Sequence, residues 1–377
     1  MNGRVCFSSI LGSIVLFTGT AAAQTPANER YDQPLNMEVP HVRDDATIAI
    51  DYPIVYVRAP RFGDEKNTRW AEVGDPTRLN PGADLMLLQP DGHEEVLVEG
   101  GQGSVTDPMV SFDGEWVYYV KFHNLKEGFA PWGGLPVHGS DIFKIHVKSR
   151  TVEQLTSQKF TPNLGAADWN EKFGGSSGGK DHIAYGMLNL GPCPLPGGRL
   201  VFVSNRNGFR PPKFGGPTLQ LFVMDDDGGN VEQIGFLNIS QALHPVILKD
   251  GRIMFSSFEN QGLRSSDSWG LWSIHPDGTN WEPLMSAFEF AGIGANNSFH
   301  FQTQLSDESI VLESYYINNN NGFGGYLKFP PRARQGWAAF GPADYRDSRN
   351  TPVRMGRHYN GVPMYMRYPF TPDGMES

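Results

Sequence analysis

Cysteine is almost missing: Cys6 and Cys193 are the only two in 377 residues. Cys6 falls inside a cleavable leader, so a single thiol remains and no intrachain disulfide can form. The fold must hold itself together through its apolar core, and Cys193 is expected to be a buried, inert thiol. The chain also lacks C-x-x-C-H, G-x-S-x-G and H-E-x-x-H. It therefore carries no covalent c-type haem attachment, no nucleophile elbow and no zincin helix of its own. No long stretch spaces apolar residues at i, i+3, i+4 and i+7, so long amphipathic helices are not expected. Positive charge is in short supply, with 31 Lys and Arg against 41 Asp and Glu and a net charge of −10. Such a surface argues against nucleic acid and anionic lipid as partners.

What the chain has in quantity is turn formers and aromatics: 44 Gly, 28 Pro and 12% Phe, Trp and Tyr. Residues 244–284 show how they are used. The run H-P-V-I-L-K-D-G-R-I-M-F-S-S, a polar spacer and G-L-W-S-I-H-P-D-G-T-N-W-E-P-L read as four short strands. Asp250-Gly251 and Pro276-Asp277-Gly278 turn the first and second pairs, because Gly accepts the positive φ that such hairpins demand. Four strands in this length make one blade of a β-propeller.

The pattern recurs along the chain. Turn signals Pro90-Asp91-Gly92, Asp113-Gly114, Gly197-Gly198, residues 225–229 and Ser306-Asp307 each separate apolar runs. Gly198 to Gly251 is 53 residues, Gly251 to Asp307 is 56 and Gly228 to Gly278 is 50. Gly114 to Gly198 is 84, with a Gly-rich insertion over residues 158–190. A fixed period with insertions in one connection marks a repeat architecture. The expected class is all-β, a propeller of four-stranded blades with five countable and six or more if the chain is complete or continued.

Residues 1–23 form a separate unit. Arg4, an apolar stretch over residues 10–17 and Ala21-Ala22-Ala23 before Gln24 compose a secretory signal peptide, too short for a stable membrane span. Its removal takes Arg4 and brings the net charge to −11. Residues 24–46 read as an N-terminal arm, 47–330 as blades and 331–377 as an Arg- and Pro-rich tail. Pro372-Asp373-Gly374 resembles the turn of a further blade, so continuation beyond Ser377 is expected. The location is periplasmic or secreted, and no membrane span is expected after cleavage.

V-F-V-S-N-R-N-G at 201–208, followed by L-F-V-M-D-D-D-G-G-N-V-E-Q-I at 221–234, resembles the TolB-type, WD40-like propeller repeat of exported bacterial proteins. L-W-S-I-H-P-D-G-T-N at 271–280 repeats it. Residues 47–330 further resemble the propeller region of proteins similar to the hydrazine synthase alpha subunit. That resemblance implies a periplasmic propeller combined with c-type haem. Here Cys193 is followed by Pro-Leu-Pro, so a haem segment would have to lie beyond Ser377, and hydrazine synthesis does not carry over.

Candidate chemistry comes from aligning the blades on the turn before the second strand. Seven residues ahead lie Asp107, Gly191, His244 and His300, the first three followed by Pro. This position opens the innermost strand, at one mouth of the central channel. Two His and one Asp there are the ligand inventory of a divalent transition metal or a small anion. The same residue types also lock neighbouring loop backbones together. His182, beside Asp181 in the insertion, and His358, in Arg357-His358-Tyr359-Asn360, are further ligand candidates. Residues 174–180 match G-x-x-x-x-G-K, but Asp181 stands where Ser or Thr would bind Mg²⁺, so a loop is expected. Residues 225–228 and 318–322 read as turns rather than ion sites. The function these features imply is a binding or assembly scaffold for a protein or glycan partner. The alternative is the propeller of a metal- or haem-dependent redox enzyme.

Overall fold

Among the described residues, eighteen strands pair in chain order into five antiparallel sheets. The computed structural model describes residues 50–60, 80–126, 136, 138–158, 186–206, 219–235, 241–258, 269–285, 299–314 and 325–329. The signal peptide, the arm, the tail, His182, His358 and most of the Gly-rich insertion lie outside these residues. The first sheet holds β1 (Ile54–Arg58), β2 (Asp84–Leu88) and β3 (Glu94–Val98). The second holds β4 (Ser104–Val110), β5 (Trp116–Phe122), β6 (Ser140–His146) and β7 (Val152–Gln154). The third holds β8 (Asn189–Leu195), β9 (Arg199–Ser204), β10 (Gln220–Asp225) and β11 (Glu232–Gln233). In the fourth are β12 (Ala242–Ile247), β13 (Ile253–Phe258), β14 (Trp269–Ile274) and β15 (Glu282–Met285). In the fifth are β16 (Phe299–Gln304), β17 (Ile310–Ser314) and β18 (Gly325–Phe329).

The first strand of each sheet packs on the first strand of the next, β4 on β8, β8 on β12 and β12 on β16. Consecutive meanders joined at their inner edges are the blades of a β-propeller. The segment read as one blade, residues 244–284, is the fourth sheet. In the first sheet the turn at Pro90-Asp91-Gly92 joins β2 to β3, so β1 to β3 occupy the second to fourth blade positions. The fifth sheet fills the first three. Neither gains another strand among the described residues.

Both faces of a blade are buried, which is why its strands read as unbroken apolar runs. On β5, Val117 and Tyr119 pack toward the first sheet with Leu85, Val105 and Ile145. Tyr118, Val120 and Phe122 pack the other way, into the large cluster shared with the third and fourth sheets. Cys193 is 2% exposed in that cluster, and burial pushes its thiol up to about 11, so it is inert as expected.

The turns form as their residues require. In the fourth sheet Gly251 N donates to Leu248 O with Gly251 at φ 87, while Asp250 Oδ1 accepts from Arg252 N. Asp113 and Asp307 make the same bond two residues on, to Glu115 N and Ser309 N. Asp91, Asp227 and Asp277 repeat it in the turn before the last strand. The acidic run at 225–227 is thus a hairpin turn. All these hairpins lie at one end of the blades. The remaining connections leave from the opposite end, where the inner strands begin.

Candidate functional site

The inner strands of the second to fifth sheets carry a bulge at their third or fourth residue. Register shifts fall between Thr106 and Met109, Leu190 and Cys193, Leu243 and Val246, and His300 and Thr303. The first inserted residue is left-handed in every case: Asp107 at φ 51, Gly191 at φ 58, His244 at φ 54 and Phe301 at φ 52. Only glycine takes that conformation without cost, and for a bulky Phe it is an outlier. Pro108, Pro192 and Pro245 follow the first three, suited to a bulge because no ladder hydrogen bond is asked of the next N–H.

These four residues meet in blade order. Gly191 N donates to Asp107 Oδ2 at 3.0 Å. A Cβ on Gly191 would stand 3.1 Å from Pro245 Cδ. The His244 ring lies 4.3 Å from the Phe301 ring, and Gln302 Nε2 donates to His244 O at 2.5 Å. Phe301 remains 52% exposed, and Asp107 is exposed as well.

The structure corrects one step of the sequence register. Spacing from Asp307 places His300 in the column of His244, whereas Phe301 occupies it. The fifth turn closes from Glu308 N to Leu305 O, with Glu308 at φ 67 in the slot that Gly114 and Gly251 fill elsewhere. Glu308 is therefore the anchor, and seven residues ahead of it stands Phe301. A non-glycine residue in a glycine slot hid this from the pattern.

His300, one residue away, is fully buried against the fourth sheet, its ring 4.7 Å from Trp269 and 5.6 Å from His244. The two imidazoles so adjoin across a blade boundary. His244 Nε2 is buried with no hydrogen-bond partner among the described residues. Burial pushes the His244 ring down to about 4. Burial, then the proximity of His244, holds His300 well below its ordinary value. Both rings are neutral at pH 7. Desolvation of its carboxyl raises Asp107, against the lowering bonds from Gly191 N and Thr106, while the residue as a whole stays exposed. Its carboxylate is engaged by the third sheet, and among the described residues no three His, Cys, Asp or Glu gather as a metal-binding group.

A second polar cluster near this end went unread in the sequence. Asp141 on β6, fully buried, accepts from His123 Nε2 at 2.7 Å, Thr156 Oγ1 at 2.8 Å, Asn189 Nδ2 at 3.0 Å and Gln158 Nε2 at 3.2 Å. Asn189 Oδ1 accepts in turn from Ser204 Oγ and from Arg206, the latter at 2.6 Å. The Arg206 guanidinium lies over the Phe202 and Phe222 rings. Burial lowers Arg206 to about 10, opposed by the charge of Asp141. Burial would raise the Asp141 carboxyl, but His123, Thr156 and Gln158 hold it below the ordinary value. S-N-R at 204–206 was the visible trace of this cluster, and its buried partners come from separate strands.

No protein-family model and no curated protein matches the chain. Solved structures do resemble it. TolB from Acinetobacter baumannii is 14% identical over 76% of this chain and 63% of its own, with a TM-score of 0.33. Hydrazine synthase of Kuenenia stuttgartiensis is 17% identical over 74% and 38%, at 0.47. Oligogalacturonate lyase from Vibrio parahaemolyticus is 14% identical over 65% and 55%, at 0.38. The chain spans less than two thirds of the length of each of these three. At such identities and TM-scores the likeness carries nothing beyond itself, and the β-propeller rests on the sheets and their packing.

Proposed function

We propose that the protein is an exported, periplasmic β-propeller that works as a binding and assembly module. Its recognition site is the channel mouth ringed by Asp107, Gly191, His244 and Phe301. The observation that carries this reading is the left-handed backbone of three non-glycine residues in equivalent bulges. Backbone strain of this kind costs about 1–3 kcal/mol per residue and persists where a site needs it. The half-exposed Phe301 offers an apolar contact. Arg4, the apolar stretch at 10–17 and Ala21-Ala22-Ala23 support export.

The test expresses the full chain in a diderm bacterium with a photocrosslinking amino acid at position 301, or at Phe112 on the hairpin end. Mature protein beginning at Gln24 in the periplasm, with a discrete crosslinked product from 301 only, is the expected result. Cytoplasmic retention, or equal crosslinking from both ends, overturns it.

A second reading has the adjoining imidazoles in its favour. Neutral His244 and His300 are competent ligands, so the propeller would belong to a periplasmic metal- or haem-dependent redox enzyme. Stoichiometric transition metal in purified protein, lost on His244→Asn, would support it. Metal-free protein that still crosslinks through position 301 would exclude it.

A further inference from the structure

Blade four carries a second concave site, at the hairpin end and away from the channel mouth. Trp281 stands just ahead of β15 and stacks on Trp272 of β14, ring centroids 4.5 Å apart and planes 21° from parallel. It is 39% exposed although a tryptophan in a turn has ample apolar surface to hide. Beside it lies an open cavity of about 430 Å³ lined by Asp250, Arg252, His275, Asn280, Trp281 and Glu282. That volume falls within the roughly 300–1,000 Å³ range of small-molecule sites. A neighbouring cavity of about 270 Å³, between the fourth and fifth blades, shares Asp250 and Arg252 as a wall and continues to Gln304 and Glu308.

The polar wall is set in advance. Arg252 Nε and Nη2 donate to Asp250 Oδ2 at 2.9 and 2.7 Å, and Nη1 donates to Ser273 Oγ at 3.0 Å and to Glu282. Two carboxylates around one guanidinium leave the wall net negative, so it repels anions. The Asn280 amide and the His275 imidazole make no hydrogen bond among the described residues, and Asn280 is exposed. An indole stacked from behind, with planar groups that both donate and accept at its edge, fits the apolar C–H face and vicinal hydroxyls of a pyranose. A compact cation would be drawn by the same net-negative wall and indole face, and titration with choline separates that case.

We propose that this cleft binds a neutral oligosaccharide, with Trp281 as the stacking platform and Asn280, His275 and the Asp250–Arg252–Glu282 array as hydroxyl partners. The proposal rests on the reading of the protein as a binding module and names one of its ligand classes. It fails independently, since the crosslink from position 301 reports the other end of the blades.

Isothermal titration of the mature protein with cellotetraose, chitotetraose, tetragalacturonate and choline tests it. At least one neutral tetrasaccharide is expected to bind, with tetragalacturonate and choline silent. Trp281→Ala should weaken binding at least about tenfold, and Trp281→Phe should restore part of it. Asn280→Gly, which suits the φ of 52 at that residue, should weaken binding without changing the thermal midpoint. Phe301→Asn should leave sugar binding intact. No binding of either neutral sugar, a preference for tetragalacturonate or choline, or binding indifferent to Trp281→Ala in a normally folded variant overturns the proposal.

Discussion

At position 244 an imidazole buries its Nε2 with no hydrogen-bond partner among the described residues, and that placement has a measurable acid signature. In the unfolded chain His244 takes up a proton near its ordinary 6.5; in the fold it withholds it until about 4. Between those values the unfolded state binds more protons, so stability is full above pH 6.5 and declines as pH falls to 4. The loss from His244 is about 3 kcal/mol, and His300 adds to it with the same sign. The lowered carboxyl of Asp141 adds a separate loss, which begins only below the ordinary carboxylate value. His244→Asn keeps a residue tolerant of φ 54 while removing the titration. Denaturant midpoints across pH 6.5 to 4 should then lose about one proton of slope, roughly 1.4 kcal/mol per pH unit. A variant as acid-sensitive as the parent would show that His244 titrates normally in the fold.

At the scale of strands and turns, glycine does two different jobs. Gly251 has φ 87 and open space around an added Cβ, so Gly251→Ala meets only backbone strain, about 1 kcal/mol. Gly103 lies where the chain enters β4, and a Cβ there would stand 1.6 Å from Phe122 O. Gly103→Ala must displace a strand end and should cost at least about 3 kcal/mol. Glu308 occupies a left-handed turn slot without glycine, so Glu308→Gly should gain up to about 1 kcal/mol. Unfolding midpoints should rank Glu308→Gly above the parent, then Gly251→Ala, then Gly103→Ala; a destabilising Glu308→Gly would contradict the assignment of that slot. These turns explain what was legible in advance. Asp-Gly and Pro-Asp-Gly announce themselves because backbone and Asx hydrogen bonds demand those residue types. The blades, their order and the openings of the inner strands at Asp107, Gly191 and His244 could thus be read directly. His300 was misplaced by one residue because Glu308 carries a glycine's conformation without its chemical mark. The bulge is also what lets His300, off the column, still touch His244.

Among the described residues, each blade packs on the blades next to it in the chain, so cohesion depends on what crosses each boundary. Between the second and third blades the crossing is polar: Asp141, Asn189 and Arg206 form one buried chain of hydrogen bonds. No pattern in the sequence exposes such a chain, because Asp141 stands alone in an ordinary strand and its partners lie up to 65 residues further on, at Arg206. Its energetics are those of a network rather than of pairs. Removing Asp141 leaves the donors of Thr156, Gln158 and Asn189 without their acceptor and takes away the charge that opposes the desolvation of Arg206, so Asp141→Ala should cost about 3–5 kcal/mol. Arg206→Leu alone should also be costly, yet the double variant should be less destabilised than the sum by about 1–3 kcal/mol. Such coupling would pass through Asn189 and therefore across the blade boundary. Away from this network, the crossings from Gly191 N to Asp107 Oδ2 and from Lys144 Nζ to Asp226 O are single bonds. Denaturant unfolding of Asp141→Ala should then split into two steps where the parent shows one. A single transition, with the two substitutions additive to within about 0.5 kcal/mol, would mean that apolar packing alone joins the blades.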